Sequence, residues 1–82
     1  MNINMNDINL LLQQAIREIE QLNNDEEFLI RDLFKGYEWN RIPRPIRLTL
    51  GTLFLNHVQS SLKDVIPINK TSSNQQLYKK GT

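Results

Sequence analysis

The chain has no cysteine, so disulfide staples and thiolate metal sites are excluded. His57 is its only histidine and the carboxylates are scattered, which leaves no zinc-ligand spacing. The three glycines are isolated, so there is no glycine-rich phosphate loop. Ser60, Ser61, Ser72 and Ser73 have no recognisable nucleophile context. Unbroken apolar runs are as short as Leu10-Leu11-Leu12, far below the ~20 residues that span a bilayer. Met1-Asn2-Ile3-Asn4 lacks the cationic stretch of a secretory signal. These absences point to a non-enzymatic protein with no cofactor, no metal and no membrane span, resident in the reducing cytoplasm.

The charges that are present are sorted into two blocks. Residues 1–27 hold six carboxylates (Asp7, Glu18, Glu20, Asp25, Glu26, Glu27) and one cation, Arg17, for a net −5. Residues 28–82 hold nine Lys/Arg and three carboxylates (Asp32, Glu38, Asp64), for a net +6. The whole-chain value of +1 hides this division. It suggests a nucleic-acid-facing body, 28–82, behind an acidic protein-facing leader, 1–27. With 39% hydrophobic and 23% charged residues the chain folds rather than staying disordered. So short a domain buries only about 60–65% of its unfolded surface, so a partner or a second copy can add to its stability.

Residues 6–23 read as an amphipathic helix, with Asn6 or Asp7 as its cap. Ile8, Leu11, Leu12, Ala15, Ile16, Ile19 and Leu22 share one sector. That face has two readings: it packs on the protein's own body, or Ile8, Leu12, Ala15, Ile19 and Leu22 dock a partner or a second copy. Phe28-Leu29-Ile30 reads as a short strand. Asp32 is placed to cap a short helix through Phe34 and Lys35, Gly36 to turn, and Trp39 to point inward from a helical turn over Tyr37–Ile42.

Residues 43–62 are the clearest helix, opened by Pro43 and Pro45. Ile46, Leu50, Leu53, Phe54 and Val58 form one face; Thr49, Thr52, Asn56, Gln59 and Lys63 form a polar stripe. His57 falls on the apolar side, as a satisfied, partly buried residue. Gly51 costs about 1 kcal/mol inside a helix, and a close neighbouring backbone, or a kink, is the expected reason for it. Residues 64–80 alternate like a hairpin around the polar turn Asn69–Asn74, with Pro67 on an edge strand.

Strand, two short helices, a longer helix and a basic hairpin follow the order of a winged helix-turn-helix, an α+β fold. In that architecture Thr52, Asn56 and Gln59 would face base edges. Arg41, Arg44 and Arg47, with Lys63, Lys70, Lys79 and Lys80, would hold phosphates. The competing readings are that the stripe is merely solvated and that Arg47 pairs with Asp32 or Glu38.

Asp32-Leu33-Phe34, Trp39, Arg47, Leu50-Gly51, Phe54, Val58 and Tyr78-Lys79 form an ordered set. In it the stretch from Asp32 to Val58, with Thr71 to Lys80, resembles a small family of Gram-positive bacteria and their mobile elements. The resemblance covers about residues 28–80 and leaves the leader outside. One member is similar to an accessory protein in the replication module of resistance-cassette elements, where it partners an A-family DNA polymerase and enables primer synthesis. The resemblance implies a DNA-binding accessory factor that joins nucleic acid to a protein partner. The alternatives are a protein-interaction module or inhibitor, and a dimeric transcriptional repressor.

Overall fold

A computed structural model describes residues 7–81. Asp7 caps α1 (Ile8–Glu18) by accepting the Leu10 amide, and a 3-10 turn, Ile19–Gln21, continues the helix. There follow β1 (Glu27–Leu29), a 3-10 turn (Ile30–Leu33), α2 (Gly36–Arg41), α3 (Arg44–Ser60), β2 (Val65–Lys70) and β3 (Gln76–Lys80). The strands form an antiparallel sheet in the order β1-β3-β2. The fold is α+β in winged-helix order, with the β2–β3 hairpin as the wing.

Sequence dictates these elements locally. Pro43 caps α3 and Pro45 stands in its first turn, one position later than the sequence suggests. Gly36 opens α2 instead of making a turn. Asp32 does not cap a downstream helix; its carboxylate accepts the Leu29 amide at 2.9 Å. Glu38 accepts the Lys35 amide at 3.2 Å, and Glu26 the Asn23 amide at 2.9 Å, in the same i to i+3 pattern. Pro67 lies on β2, an edge strand, where a missing N–H is tolerated. Between Pro67 and Lys70 the register shifts by a bulge, and the Gln76 side-chain amide donates to the Ile68 carbonyl there.

One core joins every element. Leu11 and Ala15 from α1 and Ile19 from the 3-10 turn after it meet Phe28 of β1, Leu50, Phe54 and Val58 of α3, Val65 of β2 and Tyr78 of β3. Tyr78 stacks on Phe28 at 5.7 Å and meets Phe54 edge-on at 5.0 Å. Two expectations are corrected by this packing. The leader is not a unit apart from 28–82, because α1 supplies part of the shared core. Nor is its apolar stripe a docking face: Ala15 and Ile19 are buried, and Ile8, Leu12 and Leu22 pack against the same core. The sheet, α2 and α3 leave one side of so small a core open, and the stripe of α1 completes it.

The far end of α1 is held across the chain. The Lys80 ammonium donates to the Ile19 carbonyl at 2.9 Å, which also accepts the Leu22 amide, and to the Leu22 carbonyl at 2.8 Å, beyond the helix end. Gly51 has no neighbour within 4 Å of the place a Cβ would occupy, so the expected close backbone approach is absent. Among the described residues no helix is long and apolar enough to cross a membrane.

Candidate nucleic-acid interface

A groove of about 530 Å³ runs between α3 and the wing. Its walls are the turn after β1, the inner end of α2, the first three turns of α3, and the hairpin from Lys70 to Tyr78. Four cations line it: Arg31, Arg44, Arg47 and Lys70. No carboxylate does. The reason is local. Asp32 and Glu38, the acids nearest in sequence to these arginines, are turned onto backbone amides. The positive field of the groove is therefore not neutralised from within.

Arg47 is the best-held of the four. Its guanidinium lies 5.8 Å over the Trp39 ring, and its buried Nε has no hydrogen-bond partner. Neither Asp32 nor Glu38 pairs with it; among the described residues the one salt bridge is Lys79 to Asp25, at 3.9 Å. Trp39 is half-buried, with Phe34 tilted against it at 5.6 Å, so it is a wall rather than a fully enclosed core anchor. His57 is half-buried.

The wing tip is closed by its own bonds. The Thr71 amide donates to the Gln75 carbonyl at 2.8 Å, the Asn74 amide to the Thr71 carbonyl at 2.9 Å, and the Gln75 amide to Thr71 Oγ1 at 3.2 Å. Asn74 takes a left-handed φ of 66°, which asparagine tolerates. The tip is thus a preformed turn that presents Asn74 and Gln75 to the groove.

Of the ten residues expected to contact nucleic acid, the groove gathers Arg44, Arg47, Thr52 and Lys70. Arg41 stands outside it on α2, 5.0 Å over the exposed Tyr37 ring. Asn56, Gln59 and Lys63 are exposed but do not line the groove. Strand register puts Lys79 and Lys80 at the open end of the hairpin, away from its tip. There Lys79 faces Asp25 and Lys80 holds the end of α1, so neither extends the groove. Arg31 was missed. Only the pairing of β1 with β3 carries the turn after it to the groove, and no local sequence signal marks that.

The same register sets the acidic segment away from the groove. Glu27 pairs opposite Lys79, so the exposed Asp25–Glu27 segment lies at the open end of the sheet. The four cations lie towards the tip.

No curated protein and no solved structure matches the chain. A family model matches residues 13–80, from the middle of α1 through β3, and so includes half of the helix that the sequence sets apart as a leader. By that match the chain belongs to the family described as Domain of unknown function (DUF1413).

Proposed function

We propose that the protein is a non-enzymatic DNA-binding accessory factor, which grips nucleic acid in the α3–wing groove and meets a protein partner elsewhere. One observation carries the reading: four cations from three elements, Arg31 on the turn after β1, Arg44 and Arg47 on α3 and Lys70 on β2, converge on one groove in which no carboxylate offsets them. Such a surface binds polyanions, with affinity that falls steeply with salt. The winged-helix order supports the same face, since α3 and the wing are the elements that touch DNA in that architecture. The partner would meet the acidic open end, Asp25 to Glu27, rather than the apolar stripe of α1, which the core consumes. The sequence resemblance to an accessory protein of an A-family DNA polymerase supports a replication enzyme of a mobile element as that partner.

Fluorescence-anisotropy titration of labelled DNA at two salt concentrations tests this. Salt-sensitive binding that is lost in an Arg44→Glu, Lys70→Glu double variant supports the reading. No binding even at low salt refutes it and assigns the groove to an acidic protein surface.

A further inference from the structure

Between its cations the groove has an apolar floor. Leu48, Gly51 and Leu55 follow one another along the side of α3 that faces the wing, and Leu48 is 65% exposed. A leucine so exposed gains only when something apolar covers it. The polar neighbours on α3 do not offset this; Asn74 and Gln75 stand on the opposite wall. Thr52 donates its hydroxyl to the Leu48 carbonyl at 3.3 Å, so that hydrogen is committed to the helix itself. The remaining polar stripe of α3, Asn56 and Gln59, lies outside the groove. Apart from its arginines, α3 turns no free side-chain donor towards the wing.

A duplex is a poor match for that floor. It keeps its base faces in the stack and shows polar edges in the major groove, where the thymine methyl is the apolar exception. An unpaired strand turns its base faces outward. It is bound by cations that track the backbone and by apolar side chains, most often aromatic, on which bases lie flat, with little sequence preference. A recess of about 530 Å³ has room for an extruded base.

We propose that the groove binds an unpaired nucleic-acid strand. Its bases lie on Leu48 and Leu55, and its phosphates lie on Arg31, Arg44, Arg47 and Lys70. This rests on the nucleic-acid reading of the groove and specifies the form of strand that it takes.

The experiment compares three labelled probes of one mixed sequence, about 16 nucleotides long, at equal low salt: single-stranded DNA, single-stranded RNA and duplex DNA. It uses the full chain and a Leu48→Gln variant. Glutamine is a good helix former, and a side chain this exposed tolerates the change, which thermal melting verifies. The expected result is about tenfold tighter binding of a single strand than of the duplex. Leu48→Gln is expected to remove most of that preference by weakening single-strand binding more than duplex binding. Tighter binding of either single strand supports the proposal, and the ratio of the two names the nucleic acid. Duplex bound as tightly as the strands, or a Leu48→Gln variant that keeps the full preference, overturns it while leaving the broader reading intact. No binding to any probe overturns both.

Discussion

The Arg47 guanidinium lies over the Trp39 ring at 5.8 Å, and no carboxylate holds it. An arginine fixed by an aromatic face instead of an anion keeps its full charge for an incoming one. Arg47→Ala should therefore cost on two counts. Stability should fall by about 1 kcal/mol through the lost stacking, read by urea denaturation. Nucleic-acid affinity should fall as well. Arg47→Lys keeps the charge but not the planar fork, and should recover only part of the affinity. Wild-type binding by the alanine variant would remove Arg47 from the site.

Charge reversal separates groove from hairpin end. Arg44→Glu and Lys70→Glu should each weaken nucleic-acid binding by about tenfold or more at low salt and lower the salt slope by about 1. Lys79→Glu makes the same change of charge at the open end of the hairpin, beside Asp25, and should have a much smaller effect. Equal losses for all three would mean that net charge alone, not the groove, sets the affinity.

Lys80 has a structural role. Replacing it with methionine keeps the aliphatic stem and removes both bonds to the Ile19 and Leu22 carbonyls. The expected loss is about 2 kcal/mol, since charged hydrogen bonds to a helix end are worth more than neutral ones. Groove binding should be unchanged at temperatures where the variant is folded. A melting temperature equal to wild type would show that water replaces the ammonium at no cost.

The contrast between Lys80 and Arg44 shows what sequence can carry. Helix periodicity, prolines at helix starts and alternation around a polar turn are local, and α1, α3 and the hairpin follow from them nearly to their ends. Arg44 is legible for the same reason, as a cation at the start of a strong helix. Lys80 meets Ile19 across 61 positions of sequence, and only the pairing of β3 in the middle of the sheet brings them together. The fate of α1 was undecidable locally too. An apolar stripe that docks a partner and one that closes a core have the same periodicity, and the difference lies in how much apolar surface the rest of the chain supplies. Asp32 and Glu38 were natural partners for arginine by charge, yet each finds a backbone amide three residues back, a shorter search than a side chain across the fold.

Gly51 offers a stabilising substitution. It lies inside α3 with nothing within 4 Å of a would-be Cβ and no positive φ. Gly51→Ala should raise stability by about 0.5–1 kcal/mol through helix propensity alone. Chemical denaturation measures it directly. A destabilised variant would mean that α3 needs the glycine for bending, which the open surroundings argue against.

Tyr78 gives the fold an alkaline limit. Burial between Phe28 and Phe54 raises its phenol from 10.0 to about 12. The folded state therefore holds that proton more tightly than the unfolded chain does. Below pH 10 both states are protonated, and the contribution to stability is constant. Between about 10 and 12 the unfolded chain loses the proton first, so stability falls as pH rises, with a limiting slope of ~1.4 kcal/mol per pH unit. Tyr78→Phe preserves the ring contacts and removes the titration. Urea denaturation of both proteins from about pH 8 to 11.5 should give parallel behaviour up to pH 10 and a steeper loss for wild type above it. Every group other than Tyr78 is common to both proteins and cancels in the difference. Identical slopes would mean that the phenol reaches solvent in the folded state, and that the Phe28–Tyr78–Phe54 packing is looser than its ring distances imply.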